Sequence, residues 1–219
     1  VISTVLPAYK YLIEERKLTE DTINAFNLGY CSTNGEIYEG ANFQGMLPIL
    51  DPRFYHSTLF PIADMHGTIV GVSARPLGPT QTKYINTSYE KSDHLYGLNV
   101  TWKDCLLKQS VYVVEGNISL LIPWQHGIKN IVAMLGKTFS FKQICLLSRF
   151  VKKIVFVPDG DLSGQKLLEK LQKTIPNQFY DADVEFTYLS LPDGKDPDDF
   201  IKVFGKDAFL KLEERKLVL

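Results

Sequence analysis

Cysteine is scarce in this 219-residue chain: Cys31, Cys105 and Cys145 stand far apart and no CxxC pair occurs. That excludes a ribbon or finger zinc site, and an odd, sparse set argues against a secreted disulfide framework. A reducing cytoplasm is the expected setting. No apolar run approaches the roughly 18 residues of a membrane helix, and no basic-then-apolar leader opens the chain, so no membrane partner is expected. The chain opens on Val1 rather than Met, which leads us to expect a fragment of something longer. Charge of neither sign is in excess: 24 Lys and Arg stand against 25 Asp and Glu, a net charge of −1. Nucleic-acid binders often carry a strongly basic balance, so any such binding here must use local patches. An even balance also suits an enzyme that pairs an acidic metal site with basic grooves.

The chain does hold material for a sizeable core: 45% of its residues are hydrophobic and 12% aromatic, with 22% charged, near the globular norm. Its length fits one large domain or two small ones. Residues 4–17 carry apolar groups at helical spacing. Thr19 reads as an N-cap for a short helix over EDTINAF, with Gly29 as a stop. Residues 33–57, rich in Gly, Asn and Pro, read as an irregular loop. Residues 58–74 read as two strands joined by the DMHG turn; 83–87 look extended and 99–108 read as a short helix. The character then changes. Continuous apolar runs at 110–114, 130–135, 153–157 and 184–191 alternate with helical stretches through Trp124, over 141–151 and over 163–175. DPDDFIKVF and GKDAFLKLEE close the chain as short helices. Strands apolar throughout, alternating with helices, predict an α/β fold: a parallel sheet covered on both faces, with right-handed crossovers. We place the boundary near residue 108, with a mixed α+β part over 1–108 and an α/β unit with C-terminal helices over 109–219.

Val157-Pro158-Asp159-Gly160-Asp161 follows the third of these later strands and precedes a helix. In open parallel sheets ligands bind beyond the carboxyl ends of the strands. Two carboxylates separated by a turn-permitting glycine can converge there on one hard cation such as Mg²⁺. A solvated turn is the plainer reading of the motif alone, because Asp-Gly commonly marks one. Glu115 ends the first strand of this part and so falls at a carboxyl edge as well. Three carboxylates on one edge repel unless a cation neutralises them. Asp196 and Asp198, in Asp196-Pro197-Asp198-Asp199, follow the last strand and fall near the same edge, where they either add ligands or cap a helix.

These motifs resemble the Toprim domain, whose pattern is a Glu-Gly after the first strand and an Asp-x-Asp after the third, here Glu115-Gly116 and Asp159-Gly160-Asp161. The resemblance narrows to the DnaG-type DNA primases. VVEGNISLLIPWQHGIKNIVAMLG, FVPDGDLSGQKL and LPDGKDPDDFIKVFGKDAF are similar to that family's Glu-Gly, "D-G-D-x-A-G" and "D-G-x-D-P-D" segments. YLIEERKLTEDTINAFNLGY, TLFPIADMHGTIVGVSARPL and KYINTS followed by LYGLN resemble the segments that precede them, in the same order. The resemblance covers nearly the whole chain. It implies a Toprim-type parallel sheet with flanking helices, preceded by a mixed α+β subdomain. It implies template-directed synthesis of short RNA primers on single-stranded DNA from ribonucleoside triphosphates, with Mg²⁺ or Mn²⁺, two or more ions, held by Glu115, Asp159 and Asp161 with help from Asp196 and Asp198. Glu115, Asp159 and Asp161 are the implied catalytic residues. Arg75, Lys83, Tyr84, Asn86 and Lys91 fall on positions that resemble the family's nucleotide- and template-binding groups; Arg and Lys clamp phosphates and Tyr84 could stack on a base.

Three departures stand out. The family carries an Asp four residues after the Glu-Gly glutamate, where this chain has Ser119. The stretch between Lys83 and LYGL is shorter than usual. Neither a zinc-binding domain before the core nor a helicase-binding domain after it is present in this sequence, so a replicative helicase partner would be engaged through a region outside this chain. Two rival readings remain open: another Toprim enzyme such as a nuclease, and a degenerate module that binds single-stranded DNA or a replication partner without synthesis, for which Ser119 is the main support.

Overall fold

A computed structural model describes residues 7–38, 51–79, 82–136, 138–179, 183–192 and 194–217. The start of the helix expected at 4–17 and much of the loop expected at 33–57 lie outside the described residues. The chain divides into two compact units, Val1–Tyr89 and Glu90–Leu219. This division precedes the expected boundary near residue 108. The difference is helix α3 (Leu98–Lys108), which packs against strands of the second unit; its buried Leu98, Thr101 and Cys105 belong to that unit's core.

The first unit opens with a short helix, α1 (Pro7–Tyr9), that runs on as a π-helical turn over Lys10–Glu15. The expected single helix is therefore wider in its last turns, with the Arg16 N–H donating to the Tyr11 carbonyl five residues back. Helix α2 (Glu20–Ala25) is capped by the Thr19 hydroxyl, which accepts the Thr22 N–H. The sheet follows: β1 (Gly29–Cys31), β2 (Ile37–Tyr38), β3 (Ser57–Ala63), β4 (Ile69–Pro76) and β5 (Ile85–Asn86), all antiparallel, in the order β2-β1-β3-β4-β5. The β3–β4 turn is the one read from DMHG: the Asp64 carboxylate accepts the backbone N–H groups of His66 and Thr68, the local bonding that makes Asp a turn former. Cys31, Phe54, Leu59, Val72 and Ala74 form a buried cluster under this sheet.

The second unit holds the predicted α/β alternation: β6 (Ser110–Val114), α4 (Asn117–Gln125), β7 (Ile131–Ala133), α5 (Phe141–Leu147), β8 (Lys153–Val157), α6 (Leu162–Phe179), β9 (Glu185–Leu189) and α7 (Pro197–Leu210). β6, β7, β8 and β9 pair in parallel. Their consecutive buried residues, Ile154 to Val157 among them, show both faces covered. One correction concerns the C-terminus. Gly205, at φ 79°, breaks α7 into the two helical pieces expected, but the second does not run through KLEE. Residues Glu214–Lys216 instead form β10, antiparallel to β9. The sheet order is β10-β9-β8-β6-β7, so it is parallel with one antiparallel edge. Periodicity missed β10 because a three-residue charged strand carries no alternation of apolar and polar groups.

Candidate metal centre at the sheet switch point

From β6 the chain crosses to β7 on one side and then returns to place β8 on the other. The strand order reverses between β6 and β8, and the crevice at their carboxyl ends is where open α/β sheets bind ligands. Val114 and Val157 are paired across that boundary, so Glu115 and the Pro158-Asp159 step leave the sheet side by side. Glu115 Oε1 accepts the Asp159 N–H at 3.2 Å.

The Asp159-Gly160-Asp161 turn is held from both ends. Asp161 Oδ1 accepts the N–H groups of Ser163 (2.8 Å) and Gly164 (3.0 Å), capping α6. Gly160 donates to the Lys195 carbonyl (2.9 Å) and accepts from Gly194 N–H (2.8 Å), which ties the turn to the loop carrying Asp196. A Cβ at Gly160 would stand 2.5 Å from the Pro192 carbonyl oxygen, and one at Gly164 would collide with the Asp159 carbonyl. Both glycines are therefore set by close backbone approach. Sequence reasoning named Gly160 only as a turn residue and gave Gly164 no role.

The electrostatics of this edge are one-sided. Asp159 is pushed up to about 7, first by burial and then by the charges of Glu115, Asp196, Asp161 and Asp198. Glu115 is raised too, first by burial; the Asp159 N–H opposes this, and Asp161 and Asp196 add to it. Asp159 Oδ1 is buried with no hydrogen-bond partner, a costly arrangement for a carboxylate. Asp196 occupies the N-cap of α7 but its side chain makes no capping hydrogen bond, so helix capping does not account for it. Asp198 is different: it is buried, and it is neutralised within the fold. Lys202 Nζ lies 2.9 Å from Oδ2, and the Ser119 hydroxyl donates to Oδ1 at 3.3 Å. Lys202 escaped sequence reasoning, although its i,i+4 spacing from Asp198 on α7 was visible.

Among the described residues, no three His, Cys, Asp or Glu side chains close on a single ion position. The carboxylates are coupled by charge rather than gathered into a cage. The donor set, all oxygen, with one buried carboxylate oxygen lacking a partner, nevertheless fits a hard divalent cation such as Mg²⁺, which takes one or two protein carboxylates and completes its shell with water and phosphate.

The basic and aromatic candidates are placed differently. Arg75, on β4, has its guanidinium 5.3 Å from the Tyr11 ring centroid and 5.6 Å from that of Tyr84; its Nη1 is buried without a hydrogen-bond partner. Tyr84 also meets Phe60 edge-on, and its hydroxyl is pushed up to about 12, mainly by burial. Asn86, on β5, accepts a hydrogen bond from the Tyr89 hydroxyl. Lys83 is exposed. Lys91 belongs to the second unit, in a 3₁₀ turn over Lys91–Asp93. No helix among the described residues is long and apolar enough to cross a membrane.

The raised Asp159 carboxyl has a consequence for stability. Its ordinary value is 3.8, so between about pH 4 and about pH 7 the folded chain holds a proton that the unfolded chain has released. Stability contributed by this group is full below that window and lost as pH rises through it. Asp159→Asn removes the loss. The variant should be more stable than the parent by about 1 kcal/mol at pH 7.5 without divalent ions, with the difference shrinking towards pH 4. Urea denaturation across that range measures it; equal stabilities at pH 7.5 would mean that Asp159 is not held against its neighbours' charge.

Residues 48–101 match a family model described as the DNA primase catalytic core, N-terminal domain, and residues 112–201 match one described as Toprim-like. A DNA primase from Clostridium acetobutylicum is 30% identical over 226 residues, covering 94% of this chain and 37% of that protein. A solved DNA primase domain from Pseudomonas aeruginosa superposes with a TM-score of 0.82 at 28% identity, over 96% of this chain and 73% of that one. A DnaG primase catalytic domain bound to single-stranded DNA superposes with a TM-score of 0.79 at 26% identity, over 96% of this chain and 72% of that one. The chain thus spans just over a third of the length of the first curated relatives it matches. With both family models met in order, and with the solved primase cores sharing its fold, this chain belongs to the DnaG-type DNA primases, as that family's N-terminal core domain followed by a Toprim-like domain.

Proposed function

We propose that this chain is the catalytic core of a primase, a nucleotidyltransferase that synthesises short RNA primers on single-stranded DNA during replication in the cytoplasm. The observation that carries the reading is the group of carboxylates at the β6/β8 switch point. Asp161 and Asp196 raise the cost of charge on Glu115 and Asp159 there, and one buried oxygen of Asp159 is left without a partner. Glu115, Asp159 and Asp161 would hold Mg²⁺ or Mn²⁺, with Asp196 in support. Asp198, already paired with Lys202, would serve by holding α7 and its N-terminal loop in place. Bound there, divalent ions would neutralise phosphate charge and lower the pKa of the attacking hydroxyl. In the reaction the primer 3′-hydroxyl loses its proton to water and its oxygen forms a bond to the α-phosphorus of the incoming ribonucleotide. The bond from that phosphorus to the bridging oxygen breaks, and pyrophosphate leaves with the electron pair. The protein's own share is positioning and charge: the Asp161 cap and the Gly160 contacts fix the turn, and the half-buried crevice keeps the carboxylates in a medium where their charge counts.

The first unit would supply phosphate contacts through exposed Lys83, with Arg75, only partly exposed, beside it in chain order on β4. Tyr84, with Phe60 against it and Arg75 over its ring, suits holding Arg75 better than stacking on a base. Single-stranded DNA as partner is supported by the related catalytic domain solved with it. A replicative helicase would be met by parts of the protein outside this chain. A second reading, a core that binds single-stranded DNA without synthesis, draws on Ser119, which leaves the crevice one carboxylate short.

Glu115→Gln should reduce primer synthesis from labelled NTPs on single-stranded DNA at least about 100-fold while leaving the far-ultraviolet spectrum intact. Wild-type synthesis would sink the metal-site assignment, and a wild-type chain that binds DNA but makes no primer would favour the second reading. Lys83→Ala should weaken single-stranded DNA or NTP binding and flatten its salt dependence by about one ion; binding unchanged for both ligands at low salt would make Lys83 a plain surface charge. Ser119→Asp sets a second carboxylate against Asp198 in a buried place. It should lower the melting temperature in chelator and recover more of it than the parent does on adding Mn²⁺, with Mn²⁺ affinity raised about tenfold by calorimetry. Equal or weaker Mn²⁺ binding would mean that position 119 does not reach the ion.

A further inference from the structure

Gln143 is a buried polar side chain, 2% exposed, on the first turn of α5. An amide offers one carbonyl acceptor and two N–H donors, and here all three are used. Oε1 accepts the Ser140 N–H at 2.9 Å, closing a capping box with the Ser140 hydroxyl. Nε2 donates to the Lys91 carbonyl at 3.1 Å and to the His94 carbonyl at 2.7 Å, both about fifty residues away in sequence. Capping alone needs only the acceptor. The two donors span the first and last residues of the Lys91–His94 turn, and the Ser140 hydroxyl holds the middle of it through the Ser92 carbonyl at 2.5 Å. On the far side of the turn, Tyr96 exchanges backbone hydrogen bonds with Ala133 at the end of β7. A helix that follows a parallel strand starts at the carboxyl edge, so α5 brings Gln143 to the edge where Glu115 and Asp159 leave the sheet.

We propose that Gln143 is a positioning residue for Lys91: its amide clamps the Lys91–His94 turn to the carboxyl edge of the Toprim-like sheet and fixes the base from which the Lys91 ammonium reaches a phosphate. The inference rests on the reading of Lys91 as a phosphate-binding group. The phosphate belongs either to the incoming nucleoside triphosphate or to the template strand, and both are measured.

Gln143→Glu keeps the acceptor that caps α5 and removes both donors to the turn. Gln143→Met keeps the side-chain length and the backbone N–H that the Ser140 hydroxyl caps, loses the acceptor as well as both donors, and serves if the charged variant does not fold. With the intact protein, the KM for NTP and kcat in primer synthesis and the Kd for single-stranded DNA are measured for each variant, for Lys91→Ala and for the double variant. Expected is a rise of about fivefold in the NTP KM or in the DNA Kd, in whichever arm Lys91→Ala affects, with kcat within about twofold, and no further loss in the double variant. Backbone hydrogen exchange over Lys91–His94 should quicken in the Gln143 variants. If Lys91→Ala weakens binding but the Gln143 variants do not, or if the two losses multiply, the clamp is overturned while the role of Lys91 stands. Unchanged exchange over the turn overturns it as well. If Lys91→Ala alters neither arm, the phosphate reading of Lys91 fails and the inference falls with it.

Discussion

The carboxylates of this protein can share one crevice because two stretches of backbone touch with no room for a side chain between them. Gly164, in the first turn of α6, lies against the Asp159 carbonyl, and Gly160 lies against the Pro192 and Lys195 backbone. A single methyl at either place would push α6 or the 192–196 loop away from the ends of the strands. The consequences extend outward. With α6 seated this close, Asp161 reaches its first N–H groups. With the 192–196 loop seated, Asp196 and the start of α7 come to the same edge, and α7 can then lay Asp198 against Ser119 of α4.

What this arrangement gathers, it also destabilises. Like charges held in a half-buried crevice raise each other's proton affinity, and the fold without ions carries that cost. The protein offsets it unevenly. Asp161 is relieved by helix N–H groups and Asp198 by Lys202 and Ser119, while Asp159 keeps an oxygen with no partner. The residue given least relief is the one best suited to a cation, and the residue given most is tied into the fold. Ser119 belongs to this balance: a hydroxyl can donate to Asp198, which a carboxylate at the same place could do only when protonated.

Much of the second unit was legible in the sequence, because continuous β-branched runs such as SVYVV and KIVFV have few other uses. Glu115 and the Asp159-Gly160-Asp161 turn could be assigned to one edge because each follows the end of a strand in a parallel sheet; that β6 and β8 are neighbours could not be read from the sequence. Other features were hidden for physical reasons. β10 is too short and too charged to show a period. The two compact units part before α3 and not after it, and nothing in LNVTWKDCLLK says which sheet that helix covers. Residue type likewise does not reveal that Tyr11 and Tyr84 meet the same Arg75 guanidinium. Lys202 and Gln143 act across long sequence separations, or through a partner whose burial had first to be known.

The charged strand that periodicity missed changes what the second sheet can do in a crowded cell. A sheet that ends on an apolar strand offers a row of free N–H and C=O groups to any other chain. Here the last strand is Glu214-Arg215-Lys216, exposed throughout, and its neighbours continue the charge: Glu214 pairs with Lys153 of β8, and Lys216 with Glu185 of β9. At the opposite margin, Tyr96 occupies the backbone groups of Ala133 on β7. A second copy adding a strand at β10 would have to strip water from three ionised side chains to make its hydrogen bonds. The Val- and Ile-rich interior strands, which would make an aggregation-prone ribbon if laid bare, are thus bracketed by margins that discourage strand exchange between molecules.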